Sequence, residues 1–67
     1  MKRKVADYQF INQGSIWLVK PGNRDALQNL KEHVSVEAQW WMGALVVEPR
    51  YVEQLQAELV AEGWSVR

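Results

Sequence analysis

The 67-residue sequence contains no cysteine. It therefore has neither a disulfide framework nor a thiolate metal site, which are the usual supports of a very small domain. A chain of this length buries only about 60% of the surface that it exposes when unfolded, so nearly every apolar residue is needed for the core. Further stabilisation must come from close packing or from self-association.

Long apolar runs are also missing, and the charges balance. The longest uninterrupted apolar run is far shorter than a membrane span or a signal-peptide core, which favours a cytoplasmic protein. The formal net charge is zero, but Lys2, Arg3 and Lys4 hold three of the eight basic residues, so the rest of the chain has five basic and eight acidic ones. A basic tip on a mildly acidic body does not favour general adhesion to a phosphate backbone.

Catalytic groups are scarce. His33 is the only histidine, and it lies near the end of a predicted helix with no nucleophile motif, as is typical of a solvated helix-end side chain. Glu53, Glu58 and Glu62 are spread along a second predicted helix, and the acidic residues do not have the spacing of metal ligands. The sequence thus predicts a protein that is not an enzyme and needs no metal or cofactor.

The N-terminal part predicts an arm and a β-hairpin. Residues 1–7 are expected to form a flexible basic arm, and residues 8–67 a single small domain. Side chains alternate from Tyr8 to Asn12, and the turn that follows contains Gly14, which tolerates a positive φ. The apolar and aromatic residues 16–19 complete the hairpin.

Capping residues and periodicity predict two helices. Asn23 is a good N-cap for a helix from residue 24 to about residue 34. Residues 44–47 are the centre of the most apolar segment and predict a buried strand. Pro49 suits the first turn of the second helix and Gly63 its C-terminal cap, after which residues 64–66 form a short last strand.

The predicted fold class is α+β: a two-layer sandwich in the order β-β-α-β-α-β, with a small mixed sheet and both helices on one face. Crossover rules make residues 16–19, 45–47 and 64–66 parallel neighbours, with the Tyr8 strand antiparallel beside the first. The alternative is a ferredoxin-like βαββαβ variant, in which residues 38–41 and 44–48 form a hairpin about Met42-Gly43.

The sheet has more apolar surface than two helices can cover. Side chains alternate between faces, and both faces of the two best strands are apolar. Trp17, Val19 and one of Trp40 and Trp41 are left without cover by the helices, although a core position also suits Trp17 in the middle of its strand. Trp40 and Trp41 are adjacent, so in a strand they must face opposite ways, and at least one is expected near the surface. These side chains are buried in one of three ways. The arm, the connector or a helix end folds over them, a second copy covers them in a homodimer, or a different protein binds there.

Two other segments have features of binding sites. Lys20, Gly22, Asn23 and Arg24 form a glycine turn that leads into a helix N-terminus, which suits a small anion, although an ordinary strand-to-helix turn explains the same residues. The basic residues Lys2, Arg3 and Lys4, together with sheet aromatics, favour nucleic acid, but the acidic body opposes it. Those aromatics are Tyr8, Phe10 and Trp17.

Four segments of the chain resemble a group of very short uncharacterised proteins that bacterial phages and integrated mobile elements encode. The segments are Gly14-Ser15-Ile16-Trp17-Leu18, Glu37-Ala38-Gln39-Trp40-Trp41, Gly43-Ala44-Leu45-Val46-Val47-Glu48-Pro49-Arg50-Tyr51-Val52 and Glu62-Gly63-Trp64. The resemblance implies a bacterial or phage origin and one small α+β domain, and it brings no activity or cofactor. We therefore expect a protein-binding domain that self-associates or binds a host protein, or alternatively a small nucleic-acid-associated protein.

Overall fold

A computed structural model describes residues 6–34 and 37–67. Within these residues the chain forms a four-stranded sheet and two helices, which confirms the predicted α+β class. The predicted basic residues Lys2, Arg3 and Lys4 lie outside the described residues. The elements are β1 (Tyr8–Asn12), β2 (Trp17–Pro21), α1 (Arg24–His33), β3 (Trp40–Trp41), β4 (Ala44–Val47) and α2 (Pro49–Ala61).

The sheet has the strand order β1-β2-β4-β3, and every neighbouring pair is antiparallel. The prediction that residues 16–19 and 45–47 run parallel is therefore wrong. The structure confirms the hairpin that was predicted in the alternative fold. The chain reverses at Met42 and Gly43 between β3 and β4, and Trp41 lies opposite Ala44. This extra reversal places β4 antiparallel to β2.

The C-terminal segment lies beside β1. Val66 forms a parallel bridge with Tyr8, so the prediction that residues 64–66 neighbour β2 or β4 is wrong. Asp7 holds this segment in place, because its carboxylate accepts hydrogen bonds from the Ser65 amide at 3.0 Å and from the Asn23 side chain at 2.9 Å. Asp7, which the sequence assigns to the arm, thus ties three segments together.

Both helices cover the same face of the sheet. Helix α1 contributes Ala26 and Leu30 to the core, and α2 contributes Val52 and Leu59. On the sheet side their partners are Tyr8, Val19, Leu45 and Val47. This face holds the main hydrophobic cluster, as expected for two packed layers.

The predicted caps are confirmed. The Asn23 side-chain oxygen accepts a hydrogen bond from the Ala26 amide at 2.7 Å and so caps α1. Gly63 follows the end of helix α2, and its φ of 97° turns the chain so that its amide and that of Trp64 donate back to the last helical turn. Trp64 then packs edge-on against the Tyr8 ring, with the centroids 5.6 Å apart.

Gly22 is required because there is no room for a side chain at its position, whereas the turn glycines are required because of their positive φ. Its amide donates to the Asp7 carbonyl at 2.7 Å, and a Cβ added to it would overlap the carbonyl oxygen of Ala6.

We expect Gly22→Ala to lower the free energy of unfolding by roughly 1–3 kcal/mol in urea titrations. The control is Gly63→Asn, where a Cβ meets no atom within 4 Å. It should cost about 1 kcal/mol or less, because Asn tolerates a left-handed cap, and equal losses at both glycines would contradict this explanation.

Candidate docking surface

The second face of the sheet points away from both helices. Leu18 is paired with Ile11 on one side and with Val46 on the other, so these three side chains share a face. Trp41 is paired with Ala44, which lies on that same face because it is two residues from Val46. We call the apolar set Ile11, Ile16, Leu18, Trp41, Ala44 and Val46 the helix-free face.

A groove of about 690 Å³ crosses the helix-free face. Its floor is aliphatic and one of its walls is aromatic, and none of the described residues that line it carries a formal charge. This volume and this composition are typical of a surface that accepts an apolar group from a partner. The lining residues are Gln13, Ile16, Leu18, Gln39, Trp40, Trp41 and Val46.

Three of the five large exposed apolar residues in the described part of the chain are consecutive, at one edge of this face. Trp40 is 36% exposed, Trp41 57% and Met42 82%. Tyr51 and Val60 are also exposed, but they lie apart on α2, and the Arg50 guanidinium stacks 4.9 Å from the centre of the Tyr51 ring. A contiguous apolar patch marks an interaction site, whereas isolated apolar residues do not.

Charge separates the two layers. Among the described strands, Lys20 is the only formally charged residue, and it lies on the same side as Leu18. By contrast, residues 23–34 and 48–63, which form the helices and their caps, carry three basic and six acidic side chains. The helix layer is therefore acidic, and the helix-free face is nearly uncharged.

The sequence assigned two residues to the wrong face. Val19 is 0% exposed in the core between the sheet and the helices, and Trp17 is half-buried against the same cluster. The prediction that these two lie on the uncovered side is therefore wrong. The prediction for the tryptophan pair is confirmed: Trp40 is paired with Leu45 and Trp41 with Ala44, so they take opposite faces and both reach the surface.

Met42 is the residue that the sequence analysis missed. It has φ 49° and is followed by Gly43 with φ 81°, so the hairpin loop has the positive φ values of a type I′ turn. Asn or Gly normally occupies the first of these positions, because most other residues have a Cβ that is strained at positive φ. An apolar methionine at a turn position where Asn is common is the signal that could have identified Met42 as a candidate contact residue, since its side chain is mostly exposed.

Met42→Asn is expected to stabilise the domain. It should raise the free energy of unfolding by about 0.5–1 kcal/mol, because Asn adopts the left-handed conformation at lower cost. Urea titration of the two proteins checks this. Lower stability in the variant would show that the methionine side chain contributes packing within the domain.

The predicted anion site is only partly assembled. Lys20 and Gly22 line a pocket of about 330 Å³ together with Arg67, but Asn23 and Arg24 do not line it. The Asn23 side chain is engaged in the α1 cap and with Asp7, and the Gly22 amide is also bonded. The Asn23 side chain and the Gly22 and Ala26 amides are thus engaged within the domain.

The aromatics of the predicted nucleic-acid surface lie on the face of the sheet that the helices cover. Tyr8 is 0% exposed, and its hydroxyl donates to the Ala26 carbonyl at 2.7 Å and accepts from the Asn29 amide at 2.9 Å. Burial raises the pKa of this phenol above its usual value, which the Asn29 hydrogen bond partly opposes. Phe10 and Trp17 are half-buried against the core. The expectation that these three form an exposed platform is therefore wrong.

His33 contacts a carboxylate of the other helix. Its Nε2 lies 2.8 Å from Glu62 Oε2, so it links α1 to the end of α2 and is not simply solvated as predicted. In residues 6–34 and 37–67 there is no group of three acidic, His or Cys side chains that could hold a metal ion. The contact between His33 and Glu62 is best explained as a link between the two helices.

A second, larger groove lies beside α2. It measures about 820 Å³, and its rim includes Glu37, Glu48 and Glu58 above a floor with Leu45 and Leu55. Part of its floor belongs to the core, and three carboxylates would have to be desolvated by a partner that filled it. The helix-free face lacks this cost and is therefore the better docking surface.

No family model, no curated protein and no solved structure matches this chain. Neither of the described helices is long and apolar enough to cross a membrane. The functional assignment therefore depends on the geometry of the helix-free face.

Proposed function

We propose that this protein is a non-enzymatic protein-binding domain whose docking surface is the helix-free face with the adjoining Trp40 and Met42. The observation that carries the proposal is the exposed run of Trp40, Trp41 and Met42 beside an uncharged groove. Met42 adds to it, because an apolar side chain is kept in a left-handed turn position at a cost in stability. The partner is a second copy or, if the chain comes from a phage or mobile element, a host protein.

The energetics of the surface suit a protein partner. Tryptophan is the residue most enriched among those that contribute most to binding, and Trp41 is more than half exposed while its neighbours Leu18 and Ala44 are already buried. A partner that covers Trp41 removes apolar area from water at about 25 cal/mol per Å². Gln13 and Gln39 on the groove can satisfy polar groups of the partner without desolvating a charge.

The test is co-purification of two differently tagged copies expressed together in bacteria, with every captured protein identified by mass spectrometry. We expect Trp41→Ser to lose the captured proteins, whether the second copy or a host protein. Val60→Gln should retain them, because Val60 is 55% exposed, close to the value for Trp41, but lies on α2. Both variants should keep the circular dichroism of the parent, since surface changes usually cost within about 0.5 kcal/mol.

Two results would contradict this proposal. Retention of the same captured proteins by Trp41→Ser would place binding elsewhere. Loss of capture on deletion of residues 1–4 but not with Trp41→Ser would instead favour the basic arm and the nucleic-acid alternative. A nuclease-treated lysate distinguishes a protein partner from one held through nucleic acid.

A further inference from the structure

We propose that the helix-free face is occupied by a second copy of the same face, in a two-fold homodimer with the helices on the outside. This inference rests on the proposed function and names its partner. The distribution of charge, the self-complementary groups on the face and the area of the face support it. Together they favour a second copy over an unrelated partner.

The charge distribution selects which faces meet. Residues 23–34 and 48–63 carry an excess of acidic side chains, so two helix layers repel each other. Contact between two helix-free faces places the helix layers on opposite outer sides, where their repulsion is smallest. It also leaves Lys20 as the only charged strand residue near the contact.

Polar groups on the face are able to pair with themselves. Gln13 and Gln39 flank the groove, and each amide offers both a donor and an acceptor, so the same group on a second copy can bond to it. Lys20 lies opposite Gln9 at the end of the sheet, where a lysine stem can lie over apolar surface and keep its ammonium in water. In a two-fold dimer of these faces the Lys20 ammonium therefore stays in water.

The available area fits a dimer of moderate affinity. The protein exposes 5254 Å², and an interface of about a tenth of that surface on each copy would bury about 1,000 Å² in total, which is near the lower limit for a specific complex. Trp41, which is 57% exposed, contributes roughly 100–150 Å² of this. We therefore expect a dissociation constant of about 1–100 µM.

The test is sedimentation velocity of the whole purified chain from about 1 to about 500 µM, a range that brackets the expected dissociation constant. The parent and Val60→Gln should change from monomer to dimer across this range. Trp41→Ser should raise the dissociation constant roughly 30-fold or more, because a tryptophan that a partner covers contributes strongly to such interfaces. Val46→Lys, in the middle of the same face, should do the same while retaining the circular dichroism of the parent.

The outcomes separate this inference from the proposed function. A monomer at every concentration, combined with Trp41-dependent capture of another protein, would overturn the second copy and leave the docking surface. A dimer that Trp41→Ser and Val46→Lys leave unchanged would overturn it in favour of another interface. A monomer without any Trp41-dependent capture would overturn both proposals.

Discussion

Replacing Val19 with lysine should unfold the domain, whereas the same replacement at Val46 should leave it folded. Val19 is 0% exposed among sheet and helix side chains, so a lysine there would bury an unpaired ammonium at a cost of roughly 4 kcal/mol or more. A domain this small has only about 3–5 kcal/mol of stability from its core. The variant should therefore lack the circular dichroism and the cooperative urea transition of the parent.

Val46 differs because it is half-buried on the helix-free face. A lysine there can follow the apolar surface and place its ammonium in water, as Lys20 already can at the other end of that face. The expected loss is about 1 kcal/mol or less. A folded Val19→Lys protein together with an unfolded Val46→Lys protein would reverse the assignment of the two faces.

Tyr8→Phe should cost roughly 1–3 kcal/mol of stability, because it leaves the half-buried Asn29 side chain and the Ala26 carbonyl without the hydroxyl that they share. The ring remains to pack against Trp64, so the loss reports on the hydroxyl. Urea titration at neutral pH measures it. The control is Tyr51→Phe on the surface of α2, which should change stability by no more than about 0.5 kcal/mol.

Tyr8 also predicts a loss of stability in alkali. Burial holds the pKa of its phenol above the usual value of 10.0. Its contribution is therefore fully present below about pH 10 and is lost as the pH rises further, because the unfolded phenol releases its proton before the folded one does. The difference in stability between the parent and Tyr8→Phe should shrink above about pH 10. A difference that stays constant up to pH values well above 10 would contradict this cause.

Local features of the fold could be predicted from the sequence because local chemistry determines them. The cap at Asn23, the first helical turn at Pro49 and the end of α2 at Gly63 each depend on one residue and its immediate neighbours. The first hairpin is similar, since the Asn12 side chain accepts from the Gly14 amide at 2.8 Å and builds the turn directly.

The strand directions could not be predicted in the same way. They depend on the loop at Met42 and Gly43, where a methionine replaces the residue that usually marks such a turn. Without that signal residues 40–48 resemble one strand that follows a connector over residues 35–39, and the crossover rule then makes β2 and β4 parallel. The unusual residue at this turn is therefore the reason why the predicted direction of β4 was wrong.

The residues of the helix-free face were predicted only in part for a related reason. Both faces of β2 and β4 are apolar, so alternation shows that one face lacks helices but does not show which one. The choice depends on how the helices meet Tyr8 and Val19, which are distant in sequence from α2. The adjacent tryptophans were identified because two neighbours in a strand must face opposite ways, whichever face is covered.

Site-specific photocrosslinking in living bacteria tests most directly whether the helix-free face is the docking surface. The crosslinking residue benzoylphenylalanine would replace Trp41 in one protein and, as a matched control, the exposed aromatic Tyr51 in another. Position 41 should yield a discrete heavier product after irradiation, containing either a second copy or one other protein, while position 51 should yield the monomer. A discrete product from position 51 with none from position 41 would contradict the assignment and place the interface on the helix side.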